Sequence, residues 1–434
     1  MSTQEARSSA SKQGWMARET AQRRSRASAR QPPIQYRILQ TALLCLLATG
    51  AVFVYSASSP RSLVPGQGSG ASFLIRFIIA GAIGLAAMSW LMRGKIDRVR
   101  QFTGALLVAA FVLLVAVRLP GIGRSVGSAH RWLGAGPIEF QPSELMKLAL
   151  VLYAAHVLAS RPRAAVKPLL VVTGAACVLV AVQPDLGTAL VLAFTLAAVL
   201  IAAGTPMQLM LRVGGAALAL VVVFAMVVPY ANSRLTSFIN PWAHAGTTGF
   251  QAVQGQIAFG SGGLFGVGPG QSVQKVFYLP EANTDFILAV IGEEGGALGV
   301  CALLFLYGLI AYAGLWAAKH ARTTYASLVA VGMTTLVVGQ AALNAFAVLG
   351  LAPLTGVPLP FVSYGSSNLV VMLAAMGLLM NVAAGATGHL RALGTPTAKQ
   401  RRSKNGGPTS DRDRGGRDGR ARGAGAGRRR RAAG

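Results

Sequence analysis

The segment YLPEANTDFILAVIGEEGGALGVCALLFLYGLIAYAGLW, residues 278–316, decides how this chain is read. From Asp285 onward it is an apolar run longer than the ~20 residues with which an α-helix crosses a bilayer core of ~30 Å. Yet four carboxylates, Glu281, Asp285, Glu293 and Glu294, crowd its head, in a chain with only 13 acidic residues among 434. A charge inside a bilayer is costly, so it pairs, lines a wet cavity or serves a function. The question is which of the four does chemistry.

Composition answers the question of class. Hydrophobic residues make up 53% of the chain and charged residues 12%, against about 25% charged in a soluble domain; the mean hydropathy is +0.52. The pattern predicts an all-α polytopic membrane protein with ten spans, near 38–57, 72–92, 103–119, 142–160, 165–182, 186–203, 208–229, 285–316, 324–349 and 363–387. The first run begins too far from the N-terminus, and lacks the cleavage pattern, for a removable signal peptide. The short loops 93–102, 161–167 and 317–323 carry Lys and Arg and share a side. Positive charge favours the cytoplasm, so both termini are expected inside. The segments 58–71, 120–141, 230–284 and 350–362 are then extracytoplasmic, with the large loop 230–284 between the seventh and eighth spans.

Three regions follow: a basic tail 1–37, a membrane domain 38–392, and a Gly/Arg-rich tail 393–434. The tails hold much of the formal charge of +27 and read as disordered low-complexity sequence. Attraction to anionic lipid explains them better than nucleic-acid binding, which is not expected. Cys45, Cys177 and Cys301 fall in predicted spans and read as small core residues, without the spacing of a metal site or a disulfide framework.

The chemistry-bearing motifs lie on the outer side. Between Gly260 and Gly270 stand six glycines, which permit tight turns and close approach of backbone to a ligand, or simple flexibility; no G-K-[ST] ending makes this a phosphate loop. Glu144 and Lys147, three apart at a helix head, share a face, as a structural ion pair or as a substrate-facing one. Asp185 in QPDLGTALVL suits the positive end of a helix dipole, as a cap. Were the helix to begin near Asp285, Glu293 would lie ~12 Å along its axis, too far for the two to flank one reaction centre. Glu293 and Glu294 therefore read as packing or gating groups. Glu281 and Asp285 remain at the mouth, where Asp285 is either a helix cap or a reactive group.

Six anchors in order resemble one family: VYSAS (54–58), RWLGAGPIEFQPSELMKL (131–148), QPDLGTAL (183–190), GSGGLFGVGPGQS (260–272), YLPEANTDFILAVIGEEGG (278–296) and LNAFAVLGLAPLTGVPLPFVSYGSSN (343–368). From about Tyr36 to Val382 the chain is similar to the SEDS peptidoglycan glycosyltransferases, whose members include FtsW, RodA and SpoVE, and it looks more like the FtsW branch. It departs from the family pattern at GSAHRW before the Arg-Trp element, at Asn240 where an Asp is usual, and at Ser366 in SYGS.

The resemblance implies ten spans and a lipid II polymerase of septal wall synthesis in the bacterial plasma membrane. It also implies a class B penicillin-binding protein as transpeptidase partner, alongside other division proteins. The family's essential aspartate matches Asp285. In the implied reaction a sugar hydroxyl attacks the anomeric carbon of an undecaprenyl pyrophosphate-linked donor. The leaving group needs no acid, so one base suffices for inversion. Arg76, Lys147 (with Glu144), Arg234 and Lys275 are candidates to steady the pyrophosphate, and Glu281 to position the loop against substrate. No ligand cluster marks a built-in metal site; magnesium or manganese could enter with the substrate. The competing readings are a RodA-like elongation polymerase, a lipid II flippase and a division scaffold.

Overall fold

The computed structural model describes residues 33–63, 69–120, 123–126, 129–134, 139–162, 164–276 and 278–394. Nearly all of both expected disordered tails therefore lies outside the described residues.

Every predicted span is a helix. In chain order these are α1 (Ile34–Ser58), α2 (Gly70–Arg93), α3 (Ile96–Ala116), α4 (Pro142–Ser160), α5 (Val166–Val182), α6 (Leu186–Ala202) and α7 (Met207–Val227). Eight helices of the described residues are long and apolar enough to cross a membrane; α5 and α6 are apolar but shorter, about 25 Å each. Polar side chains start several of them. Asp185 accepts from Thr188 N at 3.2 Å, confirming its capping role, and Ser69 accepts from Ser72 N at 3.3 Å. Such caps satisfy amides that the helix itself leaves unpaired.

Two outer segments are more structured than expected. Strand β1 (Gly123–Val126) pairs antiparallel with β2 (Ala129–Leu133), a small addition to an all-α fold. The expected loop 230–284 contains α8 (Pro229–Ile239) and α9 (Phe250–Gly262). Pro229 begins α8 at its first turn, where a missing N–H costs nothing, so α7 ends and a new helix starts at once. Three helices complete the fold: α10 (Ile287–Lys319), α11 (Thr324–Val348) and α12 (Ser366–Gly394).

Helix α10 packs against α1, α9 and α11, and α11 packs against α4 and α6. By contrast α7 has Ala225 as its one buried residue; an apolar helix with so little protein cover has lipid as its natural solvent.

Backbone leaves the helical form at two buried places, and each is satisfied by specific partners. The first is Gly296, with φ 64°, which splits α10 into a short and a long helix. The carbonyls of Glu293 and Glu294 accept from Val267 N (2.9 Å) and Gly268 N (3.1 Å), while Ala297 N and Leu298 N donate to Gly263 O and Leu264 O. The glycine-rich stretch is thus the partner that closes a broken helix. Gly266 (φ 80°) lies so near that a Cβ there would stand 2.1 Å from the Glu294 carbonyl.

The second place is the segment 351–365, where Val357, Leu359, Phe361 and Val362 are buried. Side chains meet its carbonyls: Gln340 Nε2 donates to Pro358 O (2.8 Å) and Asn344 Nδ2 to Val357 O (2.8 Å). Gln340 Oε1 in turn accepts from Lys147 Nζ (2.7 Å), which is paired with Glu144, whose Oε2 accepts from Asn368 Nδ2 (2.8 Å). Lys147 and Glu144 are 0% and 2% exposed. Both members of the pair are enclosed and satisfied within the protein, the geometry expected of the structural reading.

Lys147→Ala should leave Glu144 buried and unpaired and lower stability by ~3–5 kcal/mol. Glu144→Gln with Lys147→Met should recover much of the folded yield, as thermal unfolding in detergent would show. A second contrast tests the helix closure. Gly266→Ala must strain the backbone and collide with Glu294 O, costing at least ~2 kcal/mol. Gly260→Ala meets open space and should be neutral or stabilising by up to ~1 kcal/mol.

Candidate functional site

Asp285 sits on the turn that leads into α10. The helix begins at Ile287 with Phe286 as its cap residue, and no side chain caps it, so the cap reading of Asp285 is excluded. Its carboxylate is partly buried, and its hydrogen-bonding support is slight. The Thr284 hydroxyl lies 3.2 Å from Asp285 Oδ1 and 2.9 Å from Glu281 Oε2. One hydroxyl proton cannot serve both carboxylates. Withdrawal from water, and then the nearby Glu281, push the Asp285 carboxyl up to about 6. Glu281 itself is exposed and takes φ 54°, a left-handed conformation that costs a non-glycine residue roughly 1–2 kcal/mol.

Opposite Asp285 stands Arg234 of α8. Its Nη1 donates to Leu354 O at 2.5 Å. Gly356, exposed and at φ 68°, lies beside both charges: a Cβ placed there would lie 3.9 Å from both Arg234 Nη2 and Asp285 Oδ2. The site therefore gathers a carboxylate, a guanidinium and a bare backbone position.

The sequence candidates divide accordingly. Asp285, Glu281 and Arg234 are brought together. Lys275 is not available: its Nζ donates to Glu294 Oε1 (2.7 Å), Gly270 O (2.8 Å) and Ser56 Oγ (3.0 Å). An ammonium has three protons, and all three are committed here within a largely buried pair. Arg76 is exposed on α2. Glu293 accepts from the Ser272 hydroxyl, Val273 N (3.0 Å) and Gln274 N (3.3 Å). Glu293 and Glu294 are thus packing groups that bind the glycine-rich stretch to α10.

Several residues escaped the sequence reading. Arg131 donates from Nε to Gln183 O (2.8 Å) and from Nη2 to Pro184 O, next to Asp185. Arg61 Nη2 donates to Asn283 Oδ1 (3.3 Å) and its guanidinium lies 4.9 Å from the Phe73 ring centre. Asn344 holds the backbone of Asp285. Arg61 and Arg131 could have been noted as cations beside the quoted motifs; Asn344, neutral in an apolar helix, gave no charge signal.

Comparison with known proteins gives the family. The model of the cell cycle protein family FtsW/RodA/SpoVE matches residues 36–387. Stage V sporulation protein E of Bacillus subtilis is 38% identical over 345 residues, which cover 78% of this chain and 94% of that one. A probable peptidoglycan glycosyltransferase FtsW of Geobacter sulfurreducens is 37% identical over 352 residues, covering 80% and 93%. A solved chain described under the structural coordination of polymerization and crosslinking by a peptidoglycan synthase complex superposes with a TM-score of 0.66 at 31% identity, covering 80% and 96%. This chain is a multi-pass membrane protein and belongs to the FtsW/RodA/SpoVE family of cell cycle proteins.

Proposed function

We propose that this chain is a peptidoglycan glycosyltransferase that joins lipid II units into glycan strands during septal wall synthesis. The observation that carries the reading is the partly buried Asp285 gathered with Arg234 beside Gly356, within a family whose FtsW relatives are named peptidoglycan glycosyltransferases. Asp285 takes the proton from the acceptor sugar hydroxyl as its oxygen bonds to the anomeric carbon of the donor. The bond to the undecaprenyl pyrophosphate breaks in the same displacement, inverting the centre. A base with a pKa near 6 is mostly ionised at neutral pH and still a better proton acceptor than an ordinary carboxylate. Arg234 offsets charge growing on the pyrophosphate, and exposed Arg76 is placed to meet lipid phosphate from the bilayer side. Glu281 keeps the Asp285 carboxyl raised and shapes its loop through Thr284.

Among the described residues no group of three or more His, Cys, Asp or Glu is gathered for a metal. Magnesium or manganese would enter with the pyrophosphate, whose oxygens supply its ligands and whose charge it would neutralise. The Asp285 end of the bundle faces the extracytoplasmic side, both termini the cytoplasm, and the basic tails anionic lipid. A class B penicillin-binding protein would crosslink the strands; the solved complex that couples polymerization and crosslinking supports such a partner.

Asp285→Asn keeps size but cannot take a proton at neutral pH. Polymer formed from lipid II by the purified complex, read as length on gels, should fall 10²–10⁴-fold. Thermal stability should not fall. The folded pKa lies above that of the unfolded chain, so the folded state holds the proton more tightly, and its advantage is lost as pH rises through about 6. At pH 7 the ionised carboxylate opposes folding, and the amide removes that cost. Robust polymer from Asp285→Asn would sink the base assignment. Because the assay runs in detergent without compartments, polymer from the unaltered protein also excludes a pure flippase.

A further inference from the structure

We infer that Asn344 is a positioning residue that sets the separation of Asp285 from Arg234. The inference rests on the reading of Asp285 as the base. Asn344 lies near the end of α11 and is 2% exposed. The two protons of its Nδ2 go to different segments, one to Asp285 O at 2.7 Å and one to Val357 O at 2.8 Å. Arg234 rests on the same second segment, through Leu354 O. Gly356, one residue before Val357, borders both Arg234 Nη2 and Asp285 Oδ2. One amide nitrogen therefore ties the backbone under the base to the backbone that anchors the cation.

The Asp285 side chain has the shared Thr284 hydroxyl, a contact that leaves its direction loose. The neighbouring residue Asn283 is held by Tyr364 N to its carbonyl (2.9 Å) and by Arg61 to its side chain, which fixes the loop but not its distance from Arg234. One turn earlier on α11, Gln340 binds Pro358 O, so two amides of one helix face grip adjacent carbonyls. Asn344 Oδ1 has no hydrogen-bond partner among the described residues. A buried acceptor left unpaired costs stability, so the amide is retained at that cost for what its two donors hold. The charged groups beside Asp285 are Glu281 on its own loop and Arg234 on α8; moving the loop changes its distance to both.

The experiment compares Asn344→Ala and Asn344→Ser with Asn381→Ala in the complex with the transpeptidase. Asn381 is a control of the same kind, since its Nδ2 donates to Leu91 O, Met92 O and Gly94 O on elements apart from the site. Each variant is assayed for polymerisation across pH and for thermal unfolding. Asn344→Ala should lower kcat by on the order of 10²-fold, as misplacement of a reacting group by ~1 Å does, and shift the acid limb of the rate profile. Asn344→Ser, with one donor for two carbonyls, should fall between it and the unaltered protein. Asn381→Ala should lower the unfolding temperature yet leave the acid limb in place. A folded Asn344→Ala or Asn344→Ser with unchanged kcat and acid limb would overturn the inference, as would an equal shift of that limb in Asn381→Ala. Failure of the base reading is separate: it shows as activity in Asp285→Asn.

Discussion

A buried backbone group that leaves the helix must find its partner inside the protein, because no water is there to take it. This constraint organises the whole molecule. The chain abandons helical form at Gly296 and again across residues 351–365, and it supplies each break with dedicated donors and acceptors. Glycine-rich backbone closes the first; Gln340 and Asn344 close the second. The carboxylates that crowd the head of α10 follow from the same demand. Glu293 takes the Ser272 hydroxyl and two backbone amides, and Glu294 neutralises Lys275. Two of the four acids thus hold structure, and Asp285 and Glu281 stand outside those contacts.

The breaks create the site. A continuous helix buries its own polar groups and offers substrate only side chains. The segment after α11 instead brings a bare backbone position, Gly356, beside Asp285 and Arg234. A carboxylate withdrawn from water beside a second carboxylate resists ionisation. That resistance makes it a competent proton acceptor near neutral pH rather than a permanently charged bystander. The guanidinium stands where charge on a departing phosphate would need an opposite sign.

Most of the bundle was legible because hydropathy over twenty residues is a strong signal. The break at Gly296 was not, since the run from Phe286 to Trp316 has the length and overall hydropathy of one span, and glycine inside a helical pattern is tolerated. Helices α8 and α9 escaped for a related reason: neither is apolar or long enough to read as a span, and α9 is interrupted by glycines. Asp285 emerged by elimination and by resemblance. The pairing of Lys275 was hidden because its partner, Glu294, lies across a fold-back that sequence spacing does not reveal. Arg234 was a candidate by charge, but its relation to Asp285 depends on Gly356, and no local pattern encodes that.

The central claim is that Asp285 is a carboxyl group held partly protonated near neutral pH. Infrared difference spectroscopy can read it directly, comparing the protein with its Asp285→Asn variant in lipid nanodiscs across pH. The account predicts a protonated carboxyl band, absent from the variant, that disappears with a midpoint near pH 6. A midpoint near 4, the ordinary value for an aspartate in water, would contradict it.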